Sequence, residues 1–167
     1  GLVALPPFDH PHVIAGQGTI GLELLEGRPD LETVLVPLSG GGLLAGIAVA
    51  IKALKPAVRV IGVSMDRGAA MAASLAAGHP VEVAELPTLA DSLGGGIGLA
   101  NRHSFALCRD LVDEVILLTE AEIYHGMRWM LLHDRMVVEG AAAVGAAAPL
   151  AGKVGSKGAT ALIVSGQ

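Results

Sequence analysis

Four short runs of mainly apolar residues, Val34–Leu38, Val58–Val63, Val115–Leu118 and Thr160–Val164, recur along the chain. A nearly continuous apolar run of this length predicts a strand buried on both faces. The stretches between them have helical character. Leu43–Leu54 follows the first run and stops before Pro56, which restricts the residue ahead of it to extended backbone. Ala69–Ala77 follows the second and ends at Gly78, a helix-ending residue type. Ser104–Leu111 precedes the third. Thr119-Glu120-Ala121-Glu122 then reads as a capping box, with Ile123, Met127, Met130 and Leu131 forming one apolar helix stripe behind it. An Ala-rich helix is expected from Gly140 to Ala148, ending at Pro149. Strands alternating with helices predict an α/β fold: an open, mainly parallel sheet flanked by helices.

The 167 residues fit one domain, taken as residues 1–167. Hydrophobic residues make up 52% and aromatic ones only 2%, so Ala, Val, Leu and Ile must build the core, packed close to a backbone with 23 glycines. That balance argues against disorder. A net charge of −5 leaves no basic face for nucleic acid, and the few aromatics leave no stacking platform. The longest apolar stretches, Leu38–Leu54 and Val137–Leu150, are interrupted by Gly, Ser, Lys, Glu or Pro and fall short of the ~20 residues a bilayer span needs. No secretory leader pattern opens the chain, and the lone Cys108 fits a reducing, cytoplasmic setting. Apolar runs lie hard against both ends, Leu2–Leu5 and Ala161–Val164, which leads to the expectation of a piece of a longer chain.

The first run leads into Ser39-Gly40-Gly41-Gly42-Leu43-Leu44-Ala45-Gly46 and then a helix. Glycines let backbone N–H groups approach an anion, and the helix adds free N–H groups and the positive end of its dipole. Ser39 can donate one more bond. Ligands of parallel sheets also gather at the carboxyl ends of strands. A Walker A loop is excluded, since Ile47 follows Gly46 where Lys is needed. Gly40, Gly42 and Ala45 match the dinucleotide spacing G-x-G-x-x-A, with Asp66 after the next strand. The phosphate of pyridoxal 5'-phosphate is a further candidate, and a tight turn with no ligand remains open.

Other segments narrow the choice. Pro7-Phe8-Asp9 followed by Val13–Glu23 resembles a segment of serine/threonine dehydratases and serine racemases, enzymes of fold type II that depend on pyridoxal phosphate. Ser39–Gly46 resembles their phosphate loop, and Leu89–Leu93, Asp110–Val115, Thr119–Ile123, Val138–Ala141 and Val164–Gly166 follow in family order. Within the group, Leu38–Gly42, Gly62–Met65, Arg67–Met71 and Asp91–Arg102 are similar to the dehydratase of hydroxyectoine utilisation. The resemblance implies the C-terminal portion of a two-domain lyase, forming most of its larger, cofactor-bearing domain. The whole enzyme would expel the β-hydroxyl of a hydroxy amino acid, the resulting enamine hydrolysing to a keto acid and ammonia, and would act as a homodimer.

The resemblance also implies cofactor contacts. Ser39, Gly40, Gly41, Gly42 and Leu43 would hold the phosphate, Ser165 would face the pyridine nitrogen, and Glu139 would lie near the ring. On its residue type alone, Glu139 equally fits a helix N-terminal acid favoured by the dipole. Gly94–Gly96 is expected to form a loop, and Gln17-Gly18-Thr19 to open a helix near a cleft. No catalytic residue is expected here, because the Ser-Phe-Lys-x-Arg-Gly segment that carries the family's cofactor lysine is not present. Lys52, Lys55, Lys153 and Lys157 read instead as solvated surface charges. Metal-binding relatives place Glu and Asp where this chain has Ser64 and Ala70, so no metal is expected. His10 and His12 read as loop residues around Pro11, and His125 and His133 as surface residues eight apart on one helix. Cys108 reads as packing, and Glu120 and Glu122 as capping residues. The second reading, a free-standing dinucleotide- or phosphate-binding domain, stays open on the residues alone.

Overall fold

The computed structural model describes residues 5–155 and 158–166. Leu2–Ala4 of the apolar run Leu2–Leu5, and Lys157, lie outside them. Helix α1 (Pro11–Gly27) precedes strand β1 (Leu31–Pro37), which leads to α2 (Gly42–Leu54), β2 (Arg59–Met65) and α3 (Ala70–Ala77). A long connection follows, broken by one 3-10 turn at Asp91–Leu93. Then come α4 (Ser104–Leu111), β3 (Glu114–Leu118), α5 (Glu120–Trp129) with a π-helical turn at Met130–Asp134, α6 (Gly140–Leu150) and β4 (Ala159–Leu162).

The described strands pair in the order β3-β2-β1-β4, all parallel. Side-chain alternation divides the core between the two sheet faces. Val34, Val36 and Val60 pack with α1, α2 and α4 through Ile14, Leu44, Ile47, Ile51, Phe105 and Cys108. Leu35, Ile61, Val63, Ile116 and Leu118 pack on the opposite face with Ile123 of α5 and Val144 and Ala147 of α6. The small residues predicted to set helices close to backbone do so. A Cβ on Gly62 would lie 2.8 Å from Leu44, and one on Gly126 would lie 2.6 Å from the Cβ of Ala147.

Two helix boundaries depart from the sequence expectation. Gln17–Thr19 sits in the middle of α1 rather than at its start. The helix begins at Pro11, whose missing N–H costs nothing in a first turn, and His10 Nδ1 accepts the N–H of His12 at 3.2 Å. His10 and His12 are thus helix-start residues and not loop residues. Gly18 and Gly21 serve packing: their Cβ atoms would meet Gly46 O at 3.2 Å and Ala50 Cβ at 2.9 Å across the α1–α2 contact. At the other end of the chain, α6 runs through Pro149 to Leu150. Bonds from Ala151 to Ala147 O and from Lys153 to Ala148 O close the last turn without the proline N–H.

Candidate cofactor site

Strand β1 is flanked by β2 on one side and β4 on the other, so chain direction across the sheet reverses there. Crevices at such a switch point, beyond the carboxyl ends of the strands, are where α/β sheets bind ligands. Leu35 is in register with Leu162, which brings the segment after β1 and the segment after β4 to the same level. A cavity of about 210 Å³ opens at that level, lined by Ser39, Gly40, Gly41, Gly42, Leu43, Glu139 and Ser165. All seven residues assigned to the cofactor by sequence therefore share one cavity. Phe8, Gln17, Ser92 and Leu93 line it as well.

The glycine loop is the anion-receptive wall. Gly41 has φ +87°, a left-handed conformation that an L side chain rarely adopts, and it stands at the N-cap of α2. Gly40 and Gly42 lie against Phe8, where an added Cβ would collide with its ring and its backbone. Gly40, Gly41 and Gly42 are buried, yet their N–H groups and that of Leu43 find no acceptor among the described residues. Buried backbone donors are almost always paired. Such donors at a helix N-terminus suit a phosphate, which supplies several acceptor oxygens and negative charge for the dipole.

Opposite the loop, Glu139 occupies the N-cap of α6 without capping it. Its carboxylate accepts the Ser92 hydroxyl at 2.8 Å and lies against Gly166, where a Cβ would sit 2.5 Å from Oε1. The dipole-acid reading of Glu139 thus accounts for its place in the chain but not for its partner. Ser165, exposed, stands three residues past β4. Phe8 and Ser92 had not been assigned to the site from sequence. Both lay in resembling segments, Pro7–Asp9 and Leu89–Leu93, but nothing in their residue types marks them as lining a cofactor cavity.

The remaining sequence candidates fall elsewhere. Lys52 bonds Val58 O at 2.8 Å and Asp113 at 2.7 Å, Lys55 bonds Pro29 O at 2.7 Å, and Lys153 bonds Leu117 O at 2.9 Å and Glu122 at 2.8 Å. These three lysines tie chain segments together, which corrects their reading as merely solvated charges, and none lines the cavity. Glu122 completes the capping box with Thr119, while Glu120 accepts Thr88 Oγ1 at 2.6 Å and Leu89 N at 2.7 Å. Gly94 and Gly95 line a separate loop cavity beside Arg67 and Glu85. Asp66 faces Arg67, 3.6 Å away, and is not part of the candidate cavity. Ser64 is buried and donates to Met65 Sδ at 3.3 Å. Burial pushes the Cys108 thiol up to about 12, as befits a packing residue. His125 lies on α5 and His133 in the π-helical turn beyond it, stacked on Trp129.

Comparison with known proteins decides between the ligand readings. The chain matches the family described as pyridoxal-phosphate dependent enzyme over residues 1–166. The chain belongs to that family. An L-threonine ammonia-lyase of Thermotoga maritima is 45% identical over 99% of this chain and 41% of its own length. A Sinorhizobium fredii protein carrying a provisional threonine dehydratase name is 59% identical over 100% of this chain and 51% of its own. The structure of maize serine racemase superposes with a TM-score of 0.91 at 35% identity, covering 99% of this chain and 51% of that one. The chain spans about half the length of the curated relatives it matches. The fold class and the cofactor drawn from the resemblance both stand, and the dinucleotide reading recedes.

Proposed function

We propose that this chain seats pyridoxal 5'-phosphate in the cavity at the switch point, as the major part of the larger domain of a two-domain lyase. The observation that carries the reading is the set of N–H groups of Gly40–Leu43, the three glycines buried, that find no acceptor among the described residues and line a cavity shared with Ser165 and Glu139. The Gly40–Leu43 N–H groups and the Ser39 hydroxyl bind the phosphate. Ser165 offers a neutral hydroxyl to the ring nitrogen, where an Asp would instead hold a proton on it. Glu139, positioned by Ser92, borders the ring and is kept in place by its 2.8 Å bond. When bound, the cofactor supplies the electron sink for bond breaking at the substrate's α-carbon. The cavity is smaller than the ~300–1,000 Å³ usual for a complete ligand site, which fits a chain that provides one wall of it.

The proposed activity of the whole protein is β-elimination of water from a hydroxy amino acid, followed by hydrolysis of the resulting enamine, which takes the water back up and releases ammonia, leaving a keto acid. The relatives' names, threonine ammonia-lyase and serine racemase, support this substrate class. The finer reading, a role in hydroxyectoine breakdown, rests on the resembling segments Leu38–Gly42 and Asp91–Arg102. The whole protein is proposed to be a cytoplasmic homodimer; among the described residues no helix is long and apolar enough to cross a membrane. The test is full-length protein loaded with pyridoxal phosphate and given L-threonine, L-serine and other hydroxy amino acids, with keto acid and ammonia followed together. Equimolar release of both is expected from at least one substrate. A loaded protein that racemises or transfers groups but releases neither product contradicts the elimination reading. The 167-residue chain alone is expected to release none, because the cofactor lysine is not in it.

A further inference from the structure

The Gly40–Gly41 peptide has glycine on both sides, so no Cβ resists its rotation. A cradle made of backbone N–H groups works only if such peptides face one way. In a trans peptide the C=O of one residue and the N–H of the next point in opposite directions. Whatever holds Gly40 O therefore aims Gly41 N–H. The holder is Ser104 of α4, fully buried at 0% exposure, whose hydroxyl donates to Gly40 O at 2.7 Å. The next peptide is held likewise: Gly41 O accepts Ala45 N at 2.8 Å, which turns Gly42 N–H away from the helix.

Ser104 is itself fixed from two directions. Asn101 Nδ2 donates to Ser104 Oγ at 2.9 Å, and of the two acceptors in reach of the hydroxyl proton Gly40 O, at 2.7 Å, is nearer than Asn101 Oδ1, at 3.2 Å, which already accepts Phe105 N–H. The Asp9 carboxylate accepts the N–H groups of Arg102, His103 and Ser104 at 2.8, 2.7 and 2.9 Å, capping α4 from more than ninety residues away in sequence. Asp9 adjoins Phe8, which packs on Gly40 and Gly42. The start of α4, the segment before α1 and the glycine loop thus form one connected unit.

We infer that Ser104 is a positioning residue for the phosphate cradle: its hydroxyl pins Gly40 O so that Gly41 N–H faces the cavity, with Asp9 holding the start of α4 that carries it. The inference rests on the reading that the loop binds the cofactor phosphate. It touches neither phosphate nor substrate, so its effect must appear in the phosphate's share of binding.

The experiment titrates full-length apoprotein with pyridoxine 5'-phosphate and with pyridoxine. Both lack the aldehyde, so neither bonds covalently, and the ratio of their affinities isolates the phosphate. The native protein is expected to prefer the phosphorylated ligand. Ser104→Ala is expected to lower that preference about tenfold, the loss expected for one misaimed charge-assisted hydrogen bond, while pyridoxine binding holds. Asp9→Ala, at a partly exposed position, lowers the ratio in the same direction and decides the matter if Ser104→Ala does not fold. An unchanged ratio, or equal weakening of both ligands, overturns the positioning role. A native protein with no preference for the phosphorylated ligand overturns the phosphate reading itself, and the positioning role with it.

Discussion

Gly41 shows how much one residue position can carry. Its φ of +87° strains any L side chain, and an added Cβ would also crowd the Met71 Cε and Cys108 Sγ, 2.7 and 3.0 Å away. Gly41→Ala is expected to cost about 2 kcal/mol of stability through left-handed strain and crowding, seen as a lowered urea midpoint. Ser165→Asp in the full-length protein is expected to slow the proposed elimination or diversify its products, and an unchanged rate and product would remove Ser165 from the ring nitrogen. Cys108 gives a pH signature. Its pKa is raised from 9.0 to about 12 by burial, so its contribution is fully present below about pH 9 and is lost as pH rises toward 12. A Cys108→Ala variant should therefore lose stability less steeply than the native protein over that window. Ser39–Leu43 could be read from sequence because a glycine run after an apolar strand is itself a physical pattern. Ser92 could not, because its role depends on an irregular connection that brings it to Glu139 from 47 residues away.

Among the elements, α2, α3 and α4 were legible to within a residue from their apolar pattern and breakers although no N-cap side chain bonds their first turns, and α5 was legible from its cap. Thr119 and Glu122 cap α5 reciprocally, as their spacing requires. Thr119→Ala should cost about 1 kcal/mol, measurable by thermal unfolding. The start of α1 was hidden because its cap is a histidine rather than Ser, Thr, Asp or Asn, and because Gly18 and Gly21 look like punctuation when they are contact points with α2. The cap of α4 was hidden for a different reason: Asp9 is remote in sequence. Burial pushes the Asp9 carboxyl up, but hydrogen bonds from Arg102, Ser104 and His103 N–H together outweigh it and leave it below the usual aspartate value. The stability it adds is therefore present above about pH 3.8 and lost as pH falls through the lowered folded value. An acid titration of Asp9→Asn should show a shallower loss below that pH than the native protein; parallel curves would contradict the cap.

At the scale of the molecule, alternating strands and helices predicted the parallel sheet, but not its order. The order β3-β2-β1-β4 places the switch point at β1, and the glycine loop and Ser165 meet there only because β1 and β4 are neighbours. That neighbouring joins segments more than a hundred residues apart, and no local pattern encodes it. β4 is an edge strand among the described residues, with its Leu162 and, just beyond it, Val164 exposed at 38% and 39%. A parallel edge of this kind is an association hazard, so the 167-residue chain by itself should scatter light on concentration where the full-length protein does not. Magnesium titrated calorimetrically into the full-length protein should show no tight site near Ser64 and Ala70. The central claim is that the glycine loop receives the cofactor's phosphate, and a crystal structure of the full-length protein with pyridoxal phosphate tests it most directly. The account predicts phosphate oxygens within hydrogen-bond distance of the N–H groups of Gly40–Leu43, with Ser165 beside the ring nitrogen. A phosphate bound elsewhere, with those N–H groups still unpaired, would contradict it.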